Sequence, residues 1–165
     1  MAKLMTDFFE SRVEQAAKIF QRFCVDEQRH RVAWLTGDPR IGKSTLAQHL
    51  AERQQWTYLN YTLEPGYFDQ LANTIQSYQP EAFSVAIKAW CRRCSQPVLM
   101  LDEIDSLLAT WTLEQRRSWA SGVSRLRELP CGLILVTSFF DEYALRSFAP
   151  DSNRPHIYAL PGLLL

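Results

Sequence analysis

A charge imbalance is the first thing this sequence lacks. Eighteen Lys and Arg stand against eighteen Asp and Glu in 165 residues, giving a formal net charge of zero. Nothing global therefore marks nucleic acid or an anionic membrane as a partner. Long apolar runs are missing too: the longest, such as CGLILVTSFF, fall far short of a bilayer span, so no membrane partner is expected. The opening MAKLMTDFFESRVEQ turns acidic and amphipathic where a secretory signal would carry its apolar segment. Cysteine is sparse, at four. Cys91 and Cys94 form one C-x-x-C inside a helical pattern, with no second pair to complete a zinc site, and Cys24 and Cys131 stand alone. Reduced, partly buried thiols and a cytoplasmic location are expected. His30, His49 and His156 have no ligand spacing and are read as structural. Repeats, low-complexity tracts and linkers are absent as well. What remains is ordinary globular composition, 47% apolar and 22% charged, read as one domain over 1–165 with 1–30 as a helical segment packed on or docking from the core.

Against these absences stands one dense stretch, LTGDPRIGKSTLAQHL, from Leu35 to Leu50. It fits G-x-x-x-x-G-K-[ST], and each residue type has a use if the ligand is a polyphosphate. Gly37 and Gly42 open backbone conformations closed to other residues, so successive amides can turn inward around phosphate oxygens. The helix starting at Gly42-Lys43-Ser44 adds its N-terminal dipole. Lys43 reaches the β- and γ-phosphates, the Ser44 hydroxyl ligates Mg²⁺, and Thr45 lies near the α-phosphate. The whole turn, Gly37, Asp38, Pro39, Arg40, Ile41, Gly42, Lys43, Ser44 and Thr45, is thus the expected nucleotide-binding segment. RVAWLT before it reads as a buried strand and KSTLAQHLAERQ after it as a helix.

Along the chain, an N-terminal amphipathic helix carries an apolar stripe at Phe9, Val13, Ala16, Phe20 and Phe23. WTYLNYT, PVLMLDE, CGLILVTS and HIYAL read as four further strands. Between the second and third, EPGYFDQLANTIQSYQPEAFSVAIKAWCRR is expected to break at Pro80 into two helices, and a later helix to run from Leu113 to Leu129. Strands alternating with helices mean a mostly parallel sheet, and such sheets bind ligands at the carboxyl ends of their strands. The phosphate turn, Asp102-Glu103 and Thr137-Ser138 are therefore expected to converge. Asp102 can hold Mg²⁺ with Ser44, and Glu103 can orient and deprotonate an attacking water. Asp105 bonds near the site or caps the helix that follows.

GDPRIGKST together with VLMLDEIDSLL resembles the Walker A and Walker B motifs of P-loop ATPases with a catalytic glutamate, especially the AAA+ and STAND-like families. The resemblance covers roughly residues 31 to 160. It implies an α/β, three-layer P-loop NTPase fold: a five-stranded, mostly parallel sheet with helices on both faces. No C-terminal helical lid is expected. It also implies ATP and Mg²⁺ as cofactors, a phosphate-sensing role (sensor 1) for Thr137 or Ser138, and an arginine finger at Arg146 or Arg154. Homo-oligomers or a larger protein partner are implied as well. In size and overall pattern the chain is also similar to the BrxF family, the compact P-loop subunits of bacterial BREX phage-defence systems, whose partners form a defence complex. The expected activity is an ATPase, weak until assembled. A nucleotide-gated scaffold and a small-molecule P-loop kinase are the alternatives. Arg92-Arg93, Arg116-Arg117 and Arg125/Arg127 could form basic patches for nucleic acid, but read first as solvated helix faces.

Overall fold

The computed structural model describes residues 1–26, 29–149 and 156–161. Among these residues there are five strands: β1 Val32–Thr36, β2 Thr57–Asn60, β3 Val98–Asp102, β4 Gly132–Thr137 and β5 Ile157–Ala159. They form one sheet in the order β2-β3-β4-β1-β5, and every pairing is parallel. The three central strands are buried along their whole length, as their unalternating apolar runs require.

Among the described residues six α-helices flank the sheet: α1 Ala2–Phe20, continued by a π-helical turn over Gln21–Asp26, α2 Lys43–Gln54, α3 Pro80–Arg93, α4 Asp105–Leu108, α5 Leu113–Ser124 and α6 Glu142–Phe148. Alternate residues of each central strand feed opposite layers, the two-residue period of a pleated strand. Val32, Trp34, Leu133 and Leu135 join the layer under α3 and α5. Ala33, Leu35, Ile134 and Val136 join the layer under α1 and α2. The first layer is aromatic, with Trp119 stacked on Phe83 at 5.3 Å and meeting Trp34 edge-on at 5.9 Å. The Trp34 indole N–H, which burial would otherwise orphan, donates to Ser124 Oγ at 3.1 Å.

The sequence-derived helix boundaries need two corrections. The segment before Pro80 forms only two short 3₁₀ turns, Phe68–Leu71 and Ile75–Ser77, neither with a fully buried residue, so no apolar stripe existed to hold a helix. Pro80 instead occupies the first turn of α3, where its missing N–H costs nothing. Helix α5 stops at Ser124 and not at Leu129, because Arg127 leaves to bridge His30 and Glu128 takes a positive φ of 56°.

Helix α1 buries Val13, Ala16 and Phe20 against the sheet and leaves its first turns overhanging, with Leu4 74% and Phe8 57% exposed. An Arg53–Glu10 ion pair ties α2 to α1. The thiols of Cys24, Cys91, Cys94 and Cys131 are free, the first, second and last of them buried. Among the described residues no helix is long and apolar enough to cross a membrane.

Candidate functional site

Strand β1 ends at Thr36, whose hydroxyl donates to the Phe140 carbonyl beyond β4, so turn and β4 tip are tied at the root. Gly37 follows at φ 154°. A Cβ there would sit 2.5 Å from Ile41 Cδ1 and 3.0 Å from the Leu160 carbonyl oxygen, so only glycine fits. Gly42 caps α2 in the left-handed region at φ 102°. Between them Arg40 also has a positive φ, 64°, without glycine's freedom to adopt it.

The turn closes around a lysine. Lys43 Nζ donates to the carbonyls of Gly37 at 3.0 Å and Asp38 at 2.6 Å. Burial pulls its pKa below that of an ordinary lysine, against the opposing pull of Asp105, Asp102, Asp38 and Glu103. Thus the ammonium grips its own loop while remaining within the field of four carboxylates.

Beside it stands the end of β3. Asp102 is buried and its carboxylate is doubly engaged: Oδ2 accepts from the Tyr58 hydroxyl at 2.6 Å and Oδ1 from the Glu103 N–H at 2.7 Å. Burial, and then donation to Asp102, pushes the Tyr58 phenol far above its usual range. Glu103 turns out of the strand at φ 60°, and the Thr62 hydroxyl donates to its carbonyl at 2.8 Å. The Glu103 side chain is exposed and accepts from Ser44 Oγ at 3.3 Å.

The third wall is the tip of β4. Thr137 Oγ1 donates to Asp105 Oδ1 at 2.5 Å and the Ser138 N–H to Oδ2 at 2.9 Å. Asp105 therefore bridges the β3 exit to the β4 tip. Burial raises its pKa, while the hydrogen bonds from Thr137 and Ser138 and the charge of Lys43 oppose that rise.

These groups share one cavity of about 430 Å³, lined among others by Arg40, Lys43, Ser44, Asp102, Glu103, Asp105, Thr137 and Ser138. Gly42 and Thr45 also line a second cavity, apolar and about 560 Å³, walled by Ile41, Leu46, Leu160 and the overhanging Met5, Phe8 and Phe9 of α1. Of the arginines singled out in the sequence, Arg146 is not brought to either cavity. It lies exposed on α6, paired with Glu142 at 2.6 Å one helical turn away. Arg154 lies outside the described residues. Tyr58 and Thr62 are contacts that motif reading missed, because a β2 tyrosine and a loop threonine carry no spacing signature. Asp105 lay within sight as a polar residue near the site, but only the fold shows which atoms it holds.

Ser44 and Asp102, both hard oxygen donors, line the same cavity and would be the residues to hold a metal ion there. No group of three or more His, Cys, Asp or Glu among the described residues could hold an ion by itself. That donor set fits Mg²⁺, which keeps waters and substrate oxygens in its shell, and fits no all-protein metal cage.

A parallel sheet in this strand order, with a glycine-bounded turn and acidic pair at its carboxyl edge, is an α/β P-loop NTPase-like fold. Residues 33–129 match the family model for the ATPase family associated with various cellular activities (AAA), and the chain belongs to that family. No curated protein matches. Among solved structures, the chain is similar to the FIGL-1 AAA domain in complex with ADP. Identity is 18% and the TM-score 0.44, over 90% of this chain and 52% of that one. It is also similar to C. elegans PCH-2, at 19% identity and TM-score 0.47, over 93% of this chain and 43% of that one. The chain thus spans about half the length of the solved proteins it matches, 52% and 43%.

Proposed function

We propose that the chain binds ATP with Mg²⁺ through residues 37–45 and hydrolyses it. The observation that carries this reading is the meeting of three strand ends in one cavity: Lys43 and Ser44, Asp102 and Glu103, and Thr137 and Ser138. Bound Mg²⁺ would neutralise phosphate charge between Ser44 and Asp102. Lys43 would exchange its two loop carbonyls for phosphate oxygens, a better partner for an ammonium already partly desolvated. Glu103, exposed at the cavity wall, would release Ser44 and accept a proton from the attacking water. Thr137 and Ser138, held by Asp105, would face the terminal phosphate. The apolar cavity on the far side of Gly42 and Thr45 supports a site for the base.

A specific contact favours a second reading, a nucleotide-gated scaffold with little turnover. Ser44 and Glu103 are engaged with each other, so metal ligation and base action both require that contact to part. Membership of the AAA family supports assembly with further copies or a protein partner. Phage defence is the process proposed from the resemblance to BrxF in overall pattern. Phosphate release and calorimetric nucleotide binding, run side by side, separate these readings. Lys43→Ala should lose binding, and Glu103→Gln should bind like wild type and turn over at least ~100-fold more slowly. A folded Lys43→Ala with wild-type affinity would overturn the site. A wild type that binds but shows no turnover, alone or assembled, would favour the scaffold. Plaque formation on host cells carrying Glu103→Gln tests the defence role, which unchanged plating would remove.

A further inference from the structure

We infer that Arg40 is the residue by which this site tells a nucleoside triphosphate from a diphosphate, a guanidinium built into the phosphate turn and serving its own chain. This rests on the reading of residues 37–45 as the nucleotide site and gives that site a specificity.

Three independent observations point to it. Arg40 sits at φ 64°, a conformation that asparagine, aspartate and glycine tolerate and a long side chain does not favour. Strain of this kind in a turn that already has glycines at positions 37 and 42 marks a position where the side chain is worth more than the backbone comfort it costs. Second, Arg40 lines the polar cavity together with Lys43, Ser44, Glu103, Thr137 and Ser138, the groups assigned above to the terminal phosphate. Third, among the described residues its guanidinium has no ion pair, although Asp38 is two positions away and Asp102, Glu103 and Asp105 share the cavity. The other cation of the turn, Lys43, holds the Gly37 and Asp38 carbonyls and reaches phosphate only by leaving them. Arg146 is spoken for by Glu142 and lies away from the cavity. An unpaired planar fork of donors beside a cavity of this chemistry fits the two free oxygens of a terminal phosphate. A diphosphate, held by backbone N–H groups of the turn and by Lys43, offers Arg40 no terminal phosphate to grip.

The test is competitive displacement of a fluorescent nucleotide, with Mg²⁺, by ADP and by a non-hydrolysable ATP analogue. It is run on wild type, Arg40→Gly and Arg40→Lys, with thermal melts of each. Glycine suits the left-handed backbone, so Arg40→Gly should melt no lower than wild type. It should lose roughly 10–100-fold in triphosphate affinity, the worth of a charge-assisted pair, with ADP affinity within about 3-fold. Arg40→Lys, keeping the charge without the fork, should fall between them. A triphosphate-to-diphosphate ratio in Arg40→Gly equal to wild type would overturn the assignment. So would equal loss of both ligands, since that is the mark of a residue that merely shapes the loop. Wild-type protein that bound neither nucleotide would overturn the nucleotide site itself, a distinct outcome.

Discussion

Removing the carboxylate of Asp105 should uncouple the two strand tips that form the far wall of the site. Asp105→Ala deletes two hydrogen bonds to a charged acceptor, from Thr137 at 2.5 Å and Ser138 at 2.9 Å. Each is worth about 1.5–3 kcal/mol. Part of that sum is returned, because the variant no longer holds a desolvated carboxylate and water in the cavity can reach the freed donors. A net loss of about 1–3 kcal/mol follows, which lowers the melting temperature of a chain this size by about 2–12 °C. Asp105→Asn separates charge from shape. The folded pKa of Asp105 is raised, so its stabilising contribution is complete below the unfolded value of 3.8 and disappears as pH rises through the folded value. Asparagine does not titrate. Denaturant unfolding at pH values stepped upward from 3.8 should therefore show the Asn variant gaining on wild type until the folded carboxyl has ionised. A difference that is flat or runs the other way would refute the burial argument. An Asp105→Ala variant as stable as wild type would show that the bridge carries no load.

Three further outcomes follow from neighbouring contacts. Tyr58→Phe removes the hydroxyl that orients Asp102 and should weaken the Mg²⁺-dependent part of nucleotide binding by roughly 10-fold or more, leaving Mg²⁺-free binding unchanged in calorimetry. Thr62→Val frees the carbonyl of the left-handed Glu103 and should slow hydrolysis at unaltered nucleotide affinity. Thr62→Ser should restore the rate in steady-state assays, and a Val variant at full speed would remove Thr62 from consideration. Phosphate affinity should decline on raising the pH toward about 10 sooner than an ordinary lysine predicts, because Lys43 loses its proton below 10.5 and the charged form is the one that binds. Titrations at stepped pH would read this directly, and constant affinity would contradict it.

The candidate site was legible in the sequence where residues cluster at a fixed local spacing. Gly37, Gly42, Lys43 and Ser44 lie within one turn, and Asp102-Glu103 close an apolar run whose burial forces it into the sheet centre. The all-parallel sheet followed from strand-helix alternation for the same reason. Features fixed by long-range geometry were not legible. Tyr58 meets Asp102 only because β2 and β3 pair in the register that sets Tyr58 beside Met100. The end of α5 at Ser124 goes with Arg127 bridging His30 and with the positive φ of Glu128, neither visible in a helical pattern that continues to Leu129. Arg146 looked available because a one-turn pairing with Glu142 is a choice among rotamers, which sequence does not display.

The strand order also dictates when this chain can acquire a site at all. β4 pairs with β1 on one side and with β3 on the other, and its Thr137 lies opposite Thr36. Until residues 132–137 enter the sheet, β1 with β5 and β2 with β3 are separate two-stranded pieces. The phosphate turn follows β1 and its acidic counterpart ends β3, and only β4, lying between those two strands, brings them into line. Contacts so distant in sequence form slowly, since loop closure is charged before any reward. A nucleotide held between the phosphate turn and the end of β3, as proposed, would stabilise only the assembled sheet, and both halves at once.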